Sequence, residues 1–142
     1  MTLDCLSGTW KLNAEKSKYI GVPAMKEAIV TVTPDSESDG WRWETNGISG
    51  EGLPMRFSFV YKRDDEDITM RGYPYADTIV LQNGKSKIGA GTFKRAGRVV
   101  GDAQRTISPD GRTMTVSIDI ALAGDKKASF TAVYEKQSVL KA

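Results

Sequence analysis

Short runs of alternating apolar and polar residues, separated by turn signals, recur along the whole chain. Turn dipeptides such as Asp39-Gly40, Asn46-Gly47 and Asn83-Gly84 fall between runs of β-branched and aromatic residues. No long stretch keeps the 3.6-residue apolar period that indicates an amphipathic helix. Turn signals that recur at intervals of roughly 8 to 12 residues are typical of an all-β sandwich or barrel.

The pattern predicts about ten strands that are joined by short connections. The predicted strands are Ser7–Asn13, Lys26–Thr33, Trp41–Asn46, Met55–Lys62, Asp67–Arg71, Thr78–Gln82, Lys87–Lys94, Arg98–Ile107, Thr113–Ala121 and Lys127–Lys136. Short connections favour an up-and-down antiparallel meander, and closing the meander into a barrel removes its exposed edges. The longest gap, Ala14 to Met25, has room for one helical turn between Ala14 and Tyr19 and is a candidate lid or strap over one end of the barrel.

Alternation assigns one face of each strand to the barrel interior. Trp41 and Trp43 share one face of their strand, while Arg42 and Glu44 share the other. The large side chains that this rule places inside are Trp41, Trp43, Phe57, Phe59, Tyr61, Met114, Phe130 and Tyr134. An apolar interior with a polar exterior is the pattern expected for an antiparallel β-barrel.

Composition narrows the class of protein further. A chain of 142 residues fits a single domain spanning residues 1–142. The net charge of +2 comes from scattered basic residues and does not indicate a nucleic-acid partner. No apolar run of about 18 residues is present, so no membrane span is expected. Cys5 is the single cysteine and the first residues lack the apolar stretch of a signal peptide, which together predict a cytoplasmic protein.

The chain contains no histidine, and this absence restricts its chemistry. It excludes Ser-His-Asp and Cys-His catalysis and removes the usual ligands of catalytic zinc and non-haem iron. We therefore expect neither a metal nor a cofactor. The acidic run Asp64–Asp67 lacks the spacing of a calcium loop and predicts a solvated hairpin turn. The glycines between Gly84 and Gly97 match no phosphate-binding motif and predict bends or bulges in strands.

A tripeptide at the start of the first predicted strand resembles the signature of the lipocalins and the wider calycin superfamily. Gly8-Thr9-Trp10 has the form G-x-W. In that superfamily the tryptophan plugs the closed end of the barrel, and a basic side chain from the last strand often packs over it. The resemblance makes Lys136 the nearest candidate for that basic side chain.

Further motifs are similar to those of a group of small, mostly uncharacterised bacterial lipocalin-like proteins. They are Gly8–Asn13 followed by Lys16–Lys18, then Gly72–Thr78, then Arg105 ahead of Ser108–Thr113, and finally Ala132–Gln137. These motifs occur in the same order as in that group and together span nearly the whole chain. The resemblance implies a lipocalin-like barrel. The group has no established activity, and many of its members are exported, whereas this chain shows no signal peptide.

Asp77 and Arg105 are the charged residues that alternation places on apolar faces. Asp77 shares a face with Ile79, and Arg105 shares one with Ala103 and Ile107. Burying either charge alone is costly, so we expect each to pair with the other, with a ligand or with other polar groups. The pair is then either a ligand-anchoring or catalytic site, or a structural ion pair.

Three functions are compatible with this interior. The first is binding of a small, partly hydrophobic, aromatic molecule, with Arg105 meeting its anionic or carbonyl group. The expected lining is Trp41, Trp43, Phe57, Phe59, Tyr61, Tyr75, Met114 and Phe130, with Tyr73 and Tyr75 at the rim. The second is a cofactor-independent isomerase, lyase or cyclase, and the third is an interaction domain with a solid core. Each is compatible with an oligomer.

The enzymatic alternative assigns a role to each polar residue of the interior. Asp77 accepts a proton and Tyr61 or Tyr134 donates one, while Arg105 stabilises an enolate or a carboxylate. Tyr73 and Tyr75 either select the ligand at the rim or simply cover the apolar end of the barrel.

Overall fold

The computed structural model describes residues 6–137, which form one antiparallel sheet of eleven strands. The strands are β1 (Gly8–Leu12), β2 (Lys18–Ile20), β3 (Glu27–Pro34), β4 (Trp41–Ile48), β5 (Pro54–Tyr61), β6 (Asp67–Thr69), β7 (Thr78–Gln82), β8 (Ile88–Arg95), β9 (Arg98–Ile107), β10 (Thr113–Ala121) and β11 (Lys127–Lys136). Every strand expected from the alternation is present. The prediction of an all-β, up-and-down antiparallel barrel is confirmed.

The sheet curls into a nearly closed barrel. Successive strands pair with one another from β3 to β5 and from β6 to β11, and β1 joins the two series by pairing with both β3 and β11. The free edges of β5 and β6 meet at one bridge, in which Ser58 and Arg71 exchange two backbone hydrogen bonds of 2.9 Å. Closure leaves few unpaired backbone groups along the wall.

The chain segment between the first two predicted strands contributes a short strand to the barrel wall. Residues 14–16 form a turn in which the amide of Lys16 donates to the carbonyl of Asn13. Strand β2 then pairs with the first half of β11, placing Tyr19 opposite Phe130, while β1 pairs with the second half of β11. Residues 14–20 therefore form a turn and a broken part of the first strand, whereas Val22, Pro23 and Met25 of the same segment line the barrel interior at one end, where a strap was a candidate.

The end of the barrel where β1 begins and β11 ends, here called the closed end, is filled by side chains. Trp10 has no exposed surface and donates its indole Nε1 to the carbonyl of Leu6 at 2.9 Å. The Nζ of Lys136 lies 5.2 Å from the centroid of the Trp10 ring. Lys136 thus occupies the position that the G-x-W resemblance implied. Met114, which was expected to contact a ligand, is fully buried in the core and is not part of the cavity wall.

Candidate functional site

A cavity of about 630 Å³ occupies the rest of the barrel interior. It extends to the loops that follow β2, β4 and β6, where Leu53, 61% exposed, lies at its rim. Six of the residues that were expected to line a pocket do line this cavity, namely Trp41, Trp43, Phe57, Phe59, Tyr75 and Phe130. A solid core would need these side chains to fill the interior, and the cavity rules out that alternative.

One wall of the cavity consists of aromatic rings on β4 and β5. The register of these strands places Trp43 opposite Phe59 and Trp41 opposite Tyr61. Trp43 stacks on Phe59 with ring centroids 5.9 Å apart and planes 14° from parallel. Trp41 stacks on Tyr61 at 5.0 Å. These contacts hold a broad, flat apolar surface in place, which suits a planar ligand.

Arg105 is the buried cation of the cavity. Its side chain is 7% exposed, and its Cζ lies 5.9 Å from the Trp41 ring centroid. Its Nη2 donates to three backbone carbonyls, those of Asn83 at 3.5 Å, Gly84 at 3.3 Å and Ser86 at 2.5 Å. Its Nε is buried and has no hydrogen-bond partner among residues 6–137. Burial lowers the pKa of Arg105 to about 10, so the group remains a cation at neutral pH.

A glycine on the neighbouring strand makes room for this guanidinium. Gly89 lies opposite Arg105 in the register of β8 and β9. A Cβ at Gly89 would lie 2.7 Å from the Nη2 of Arg105 and 3.1 Å from the carbonyl oxygen of Asn83. Any larger residue at this position would push the guanidinium away from its carbonyl partners.

The loop that supplies those carbonyls is held by Asp64. Its Oδ1 accepts hydrogen bonds from the Tyr61 hydroxyl at 2.6 Å and the Gly84 amide at 3.0 Å, and its Oδ2 accepts from the Asn83 amide at 3.0 Å. The Nε1 of Trp41 donates to the Gly84 carbonyl at 3.0 Å. The bond from Tyr61 is the largest cause of the lowered pKa of Asp64. Asp64 is therefore a structural anchor of the site, although it was expected to be only part of a solvated turn.

Arg105 has no acidic partner within the described part of the chain. None of the ion pairs found among residues 6–137 includes it. Its charge is met only by backbone carbonyl dipoles and by the face of Trp41. A buried cation without a counter-ion is energetically costly, so a bound anion would relieve an existing penalty.

The prediction that Asp77 faces the interior is wrong, and of the three kinds of partner expected for Asp77 and Arg105, the structure shows other polar groups for both. Asp77 is exposed, its Oδ2 accepts from the Ala96 amide at 2.9 Å, and its Oδ1 accepts from the Thr78 hydroxyl at 2.8 Å. These hydrogen bonds lower its pKa. Strand β7 begins at Thr78, so alternation does not extend to residue 77, and the buried residue there is Ala76.

The two tyrosines that were candidate proton donors lie in different places. Tyr61 lies outside the cavity lining, behind Trp41, and its hydroxyl is bonded to Asp64. Burial, followed by the bond to Asp64, raises its pKa well above the ordinary value. Tyr134 does line the cavity, and burial raises its pKa well above the ordinary value, so it remains a neutral phenol. Of the proposed catalytic residues, the cavity therefore brings together Arg105 and Tyr134.

Tyr73 and Tyr75 lie in the loop between β6 and β7 and line the cavity near its rim, as expected. The Tyr73 ring packs 4.8 Å from Phe57, 5.6 Å from Phe93 and 5.4 Å from Tyr75, measured between ring centroids. Tyr73 is thus enclosed by rings. The sequence indicated the position of Tyr73 but gave no sign of this enclosure.

The strand order, the plugged end and the internal cavity define a lipocalin-like β-barrel. The S-type phycobiliprotein lyase CPES from Guillardia theta has a similar solved structure, with a TM-score of 0.65 over 97% of this chain and 92% of that chain. The two sequences are 12% identical, so the likeness shows the fold alone. No protein-family model and no curated protein matches the sequence. Within residues 6–137, no helix has the length and apolar character needed to span a membrane.

Proposed function

We propose that this protein binds a small, flat, mostly apolar molecule that carries an anionic group. The apolar body packs against the wall formed by Trp43, Phe57 and Phe59, and the anion meets Arg105. The observation that carries the proposal is Arg105 itself, a buried cation in an aromatic cavity that has no counter-ion among residues 6–137. A volume of about 630 Å³ lies within the range of roughly 300 to 1,000 Å³ that is usual for small-molecule sites.

The guanidinium is prepared for an anion by the way in which it is held. The carbonyls of the 83–86 loop engage Nη2, while Nε has no partner among the described residues. A carboxylate in the cavity that contacts the guanidinium gains charge-assisted hydrogen bonds in a site shielded from water. Because Gly89 and Asp64 already position the guanidinium and its loop, little ordering is left for binding to do.

The enzymatic alternative has less support from the geometry. It assigned proton acceptance to Asp77, which lies on the outside of the barrel and is bonded to Ala96 and Thr78. The likeness to a phycobiliprotein lyase supports the barrel fold, and at 12% identity it carries neither a substrate nor a reaction to this chain. Binding therefore remains the function that the site supports best.

Two fluorescent probes with the same ring system test the proposal. 8-Anilinonaphthalene-1-sulfonate carries an anion, and N-phenyl-1-naphthylamine is its neutral counterpart. We expect the wild-type protein to bind both and to prefer the anion. Arg105→Met should weaken binding of the sulfonate on the order of tenfold, because charge-assisted hydrogen bonds are lost, and should change binding of the neutral probe less than about twofold.

Two control variants locate the effect. Arg98→Met removes an exposed arginine from the same strand and should leave both affinities unchanged. Ala103→Phe places a ring in the cavity wall and should weaken both probes together. Equal loss of both probes in Arg105→Met would show that the arginine does not recognise the anion, and failure of Ala103→Phe to affect either probe would place their binding outside the cavity.

A further inference from the structure

Two buried side-chain polar atoms lack a hydrogen-bond partner within residues 6–137, and both belong to residues of the cavity wall. They are the Nε of Arg105 and the Oη of Tyr73. Buried polar groups in native proteins are nearly always hydrogen-bonded, so each unpartnered atom needs an explanation. The anion of the proposed ligand explains Arg105 and leaves Tyr73 without one.

Tyr73 is surrounded by aromatic rings. Phe57, Tyr75 and Phe93 enclose its ring on three sides. Removing a phenol from water without a new hydrogen bond is unfavourable, so a phenylalanine would be the more stable choice for packing alone. The hydroxyl therefore indicates a partner that residues 6–137 do not supply.

Four of the five tyrosines of the chain line this cavity, namely Tyr19, Tyr73, Tyr75 and Tyr134. They come from β2, from the loop between β6 and β7, and from β11, so the tertiary fold brings them together. Burial is the main cause of the raised pKa of Tyr73, and the other three tyrosines raise it further because they lie close by. Each phenol thus remains a neutral hydrogen-bond donor at physiological pH.

Charges of both signs lie beside the tyrosines, because Arg95 donates to the Tyr75 carbonyl at 2.9 Å and an acidic residue lies near the Tyr75 hydroxyl. Glu51 lies close enough to Tyr75 to raise its pKa beyond the effect of burial. A second carboxylate on the ligand would face this negative charge and a group of neutral phenols. An uncharged oxygen, such as that of a ketone, an ether or an amide, accepts a hydrogen bond from a phenol without such repulsion.

The two unpartnered atoms lie toward opposite ends of the cavity. Tyr73 precedes β7 in the chain, while the loop that holds Arg105 follows it. Strand β7 has five residues, which span roughly 17 Å at about 3.3 Å per residue. This length gives the order of magnitude of the distance that a ligand has to bridge, and two fused or linked rings are of that order.

We propose, on the basis of the binding function argued above, that the ligand is a two-ended molecule. Its anion meets Arg105, and an uncharged oxygen at its far end accepts a hydrogen bond from the Tyr73 hydroxyl, which has to turn from its buried position toward the cavity when the ligand binds. The class is therefore a flat aromatic or conjugated acid with a keto, ether or amide oxygen remote from the acid group. A ligand that lacks this oxygen leaves the phenol unsatisfied, so Tyr73 selects between otherwise similar acids.

Matched acids test the second contact. Biphenyl-4-carboxylate supplies the anion and the rings alone, and its 3′-acetyl and 4′-acetyl derivatives add a ketone oxygen at two positions. By isothermal titration calorimetry, we expect at least one acetyl acid to bind the wild-type protein about fivefold more tightly than the parent acid. Tyr73→Phe should abolish this preference and change the affinity for the parent acid less than about twofold.

Two further measurements separate this contact from a purely structural role. Without ligand, Tyr73→Phe should melt at the same temperature as the wild type or higher, because it removes an unsatisfied hydroxyl. Tyr61→Phe removes a hydroxyl that is bonded to Asp64 and lies outside the cavity lining. It should melt lower, and because it loosens the loop that holds Arg105, it should weaken all three acids alike and keep the acetyl preference.

The possible outcomes distinguish the two proposals. If the wild-type protein binds all three acids equally, or if Tyr73→Phe keeps the acetyl preference, the second contact is wrong while the anion site at Arg105 stands. If no acid binds the wild-type protein, the binding function itself has failed, and the two-ended ligand fails with it. Loss of the acetyl preference in Tyr73→Phe, with the parent acid unaffected, supports both.

Discussion

The barrel holds two buried tryptophans that each lie beside a cation, and the two pairs have different surroundings. Trp10, with no exposed surface, donates its indole Nε1 to Leu6 and has the Nζ of Lys136 5.2 Å from its ring centroid. Trp41, 1% exposed, donates to Gly84 and has the Cζ of Arg105 at 5.9 Å. The local arrangement is nearly the same at both places.

The difference lies in what surrounds each cation. Lys136 is half-buried at the outer limit of the closed end, where its ammonium covers a tryptophan that has no cavity beside it. Arg105 is buried and faces about 630 Å³ of unfilled space. A tryptophan–cation pair therefore closes the barrel where the interior is filled, and the pair that faces unfilled space is the one that we propose as the anchor of a ligand.

The largest expected effect is the loss of stability on emptying the closed end. Trp10→Ala should lower the free energy of unfolding by about 3 to 5 kcal/mol, because it creates a new cavity in a filled core. Trp41→Ala should cost less, since it enlarges a cavity that already exists. Urea denaturation monitored by circular dichroism measures both, and a greater loss for Trp41→Ala would contradict the contrast between the two tryptophans.

The pH dependence of binding should come from the Arg105 pair alone. Its pKa is lowered from 12.5 to about 10, so affinity for the sulfonate probe should be constant from pH 6 to 9 and fall on the order of tenfold by one unit above the pKa. The neutral probe, measured over the same range while circular dichroism confirms the fold, should show no such fall. A sulfonate affinity that changes between pH 6 and 9 would implicate a different group.

The free energy of unfolding is a poor measure of the Arg105 titration, because Arg105 and a partly buried tyrosine change it in opposite directions as the pH rises. A lowered arginine pKa means that the unfolded chain holds more protons between pH 10 and 12.5, so this group makes folding more favourable as pH rises. Tyr19, whose pKa is raised to about 12, holds its proton longer in the folded chain and makes folding less favourable above pH 10. Probe affinity avoids the cancellation.

A smaller effect should follow from removing the space beside Arg105. Gly89→Ala places a methyl group 2.7 Å from the present position of Nη2, so the guanidinium has to move from its carbonyl partners. Affinity for the sulfonate should fall about fivefold, the equivalent of one lost hydrogen bond, while the neutral probe is little affected. Gly91→Ala, where the new methyl contacts Ile79 and Leu81 instead, should affect both probes alike.

The smallest effect should come from the cation at the closed end. Lys136→Met should cost about 0.5 to 1 kcal/mol of the free energy of unfolding, through the lost cation–π contact with Trp10. It should leave the affinity of both probes unchanged, as measured by the same fluorescence titration. A change in sulfonate binding would mean that Lys136 also attracts the ligand, and the distinction between plug and anchor would be lost.

Predictions that depended on the regular part of a strand were confirmed. Trp41, Trp43 and Phe59 are buried while Arg42 is exposed, and Arg105 faces inward from within the second half of β9. The side-chain period of a strand is a local property that each residue shares with its neighbours two positions away. It can therefore be read from the sequence without knowledge of the rest of the fold.

Predictions made at strand ends and in turns were wrong where a distant residue decides the conformation. Asp77 faces outward because the Ala96 amide in the next hairpin binds its carboxylate. Asp64 organises the site because the amides of Asn83 and Gly84 come to it from almost twenty residues away. The pattern of apolar and polar residues around each position does not predict such long-range hydrogen bonds.

The sequence by itself determined the strands, their inward faces, the aromatic interior and the inward direction of Arg105. Only the tertiary structure decided that one end is filled by Trp10 and Met114 while the other encloses a cavity. It also decided that Arg105 has no acidic partner and that four tyrosines share one cavity. Alternation is local, whereas the space left between side chains depends on how all the strands curve around one another.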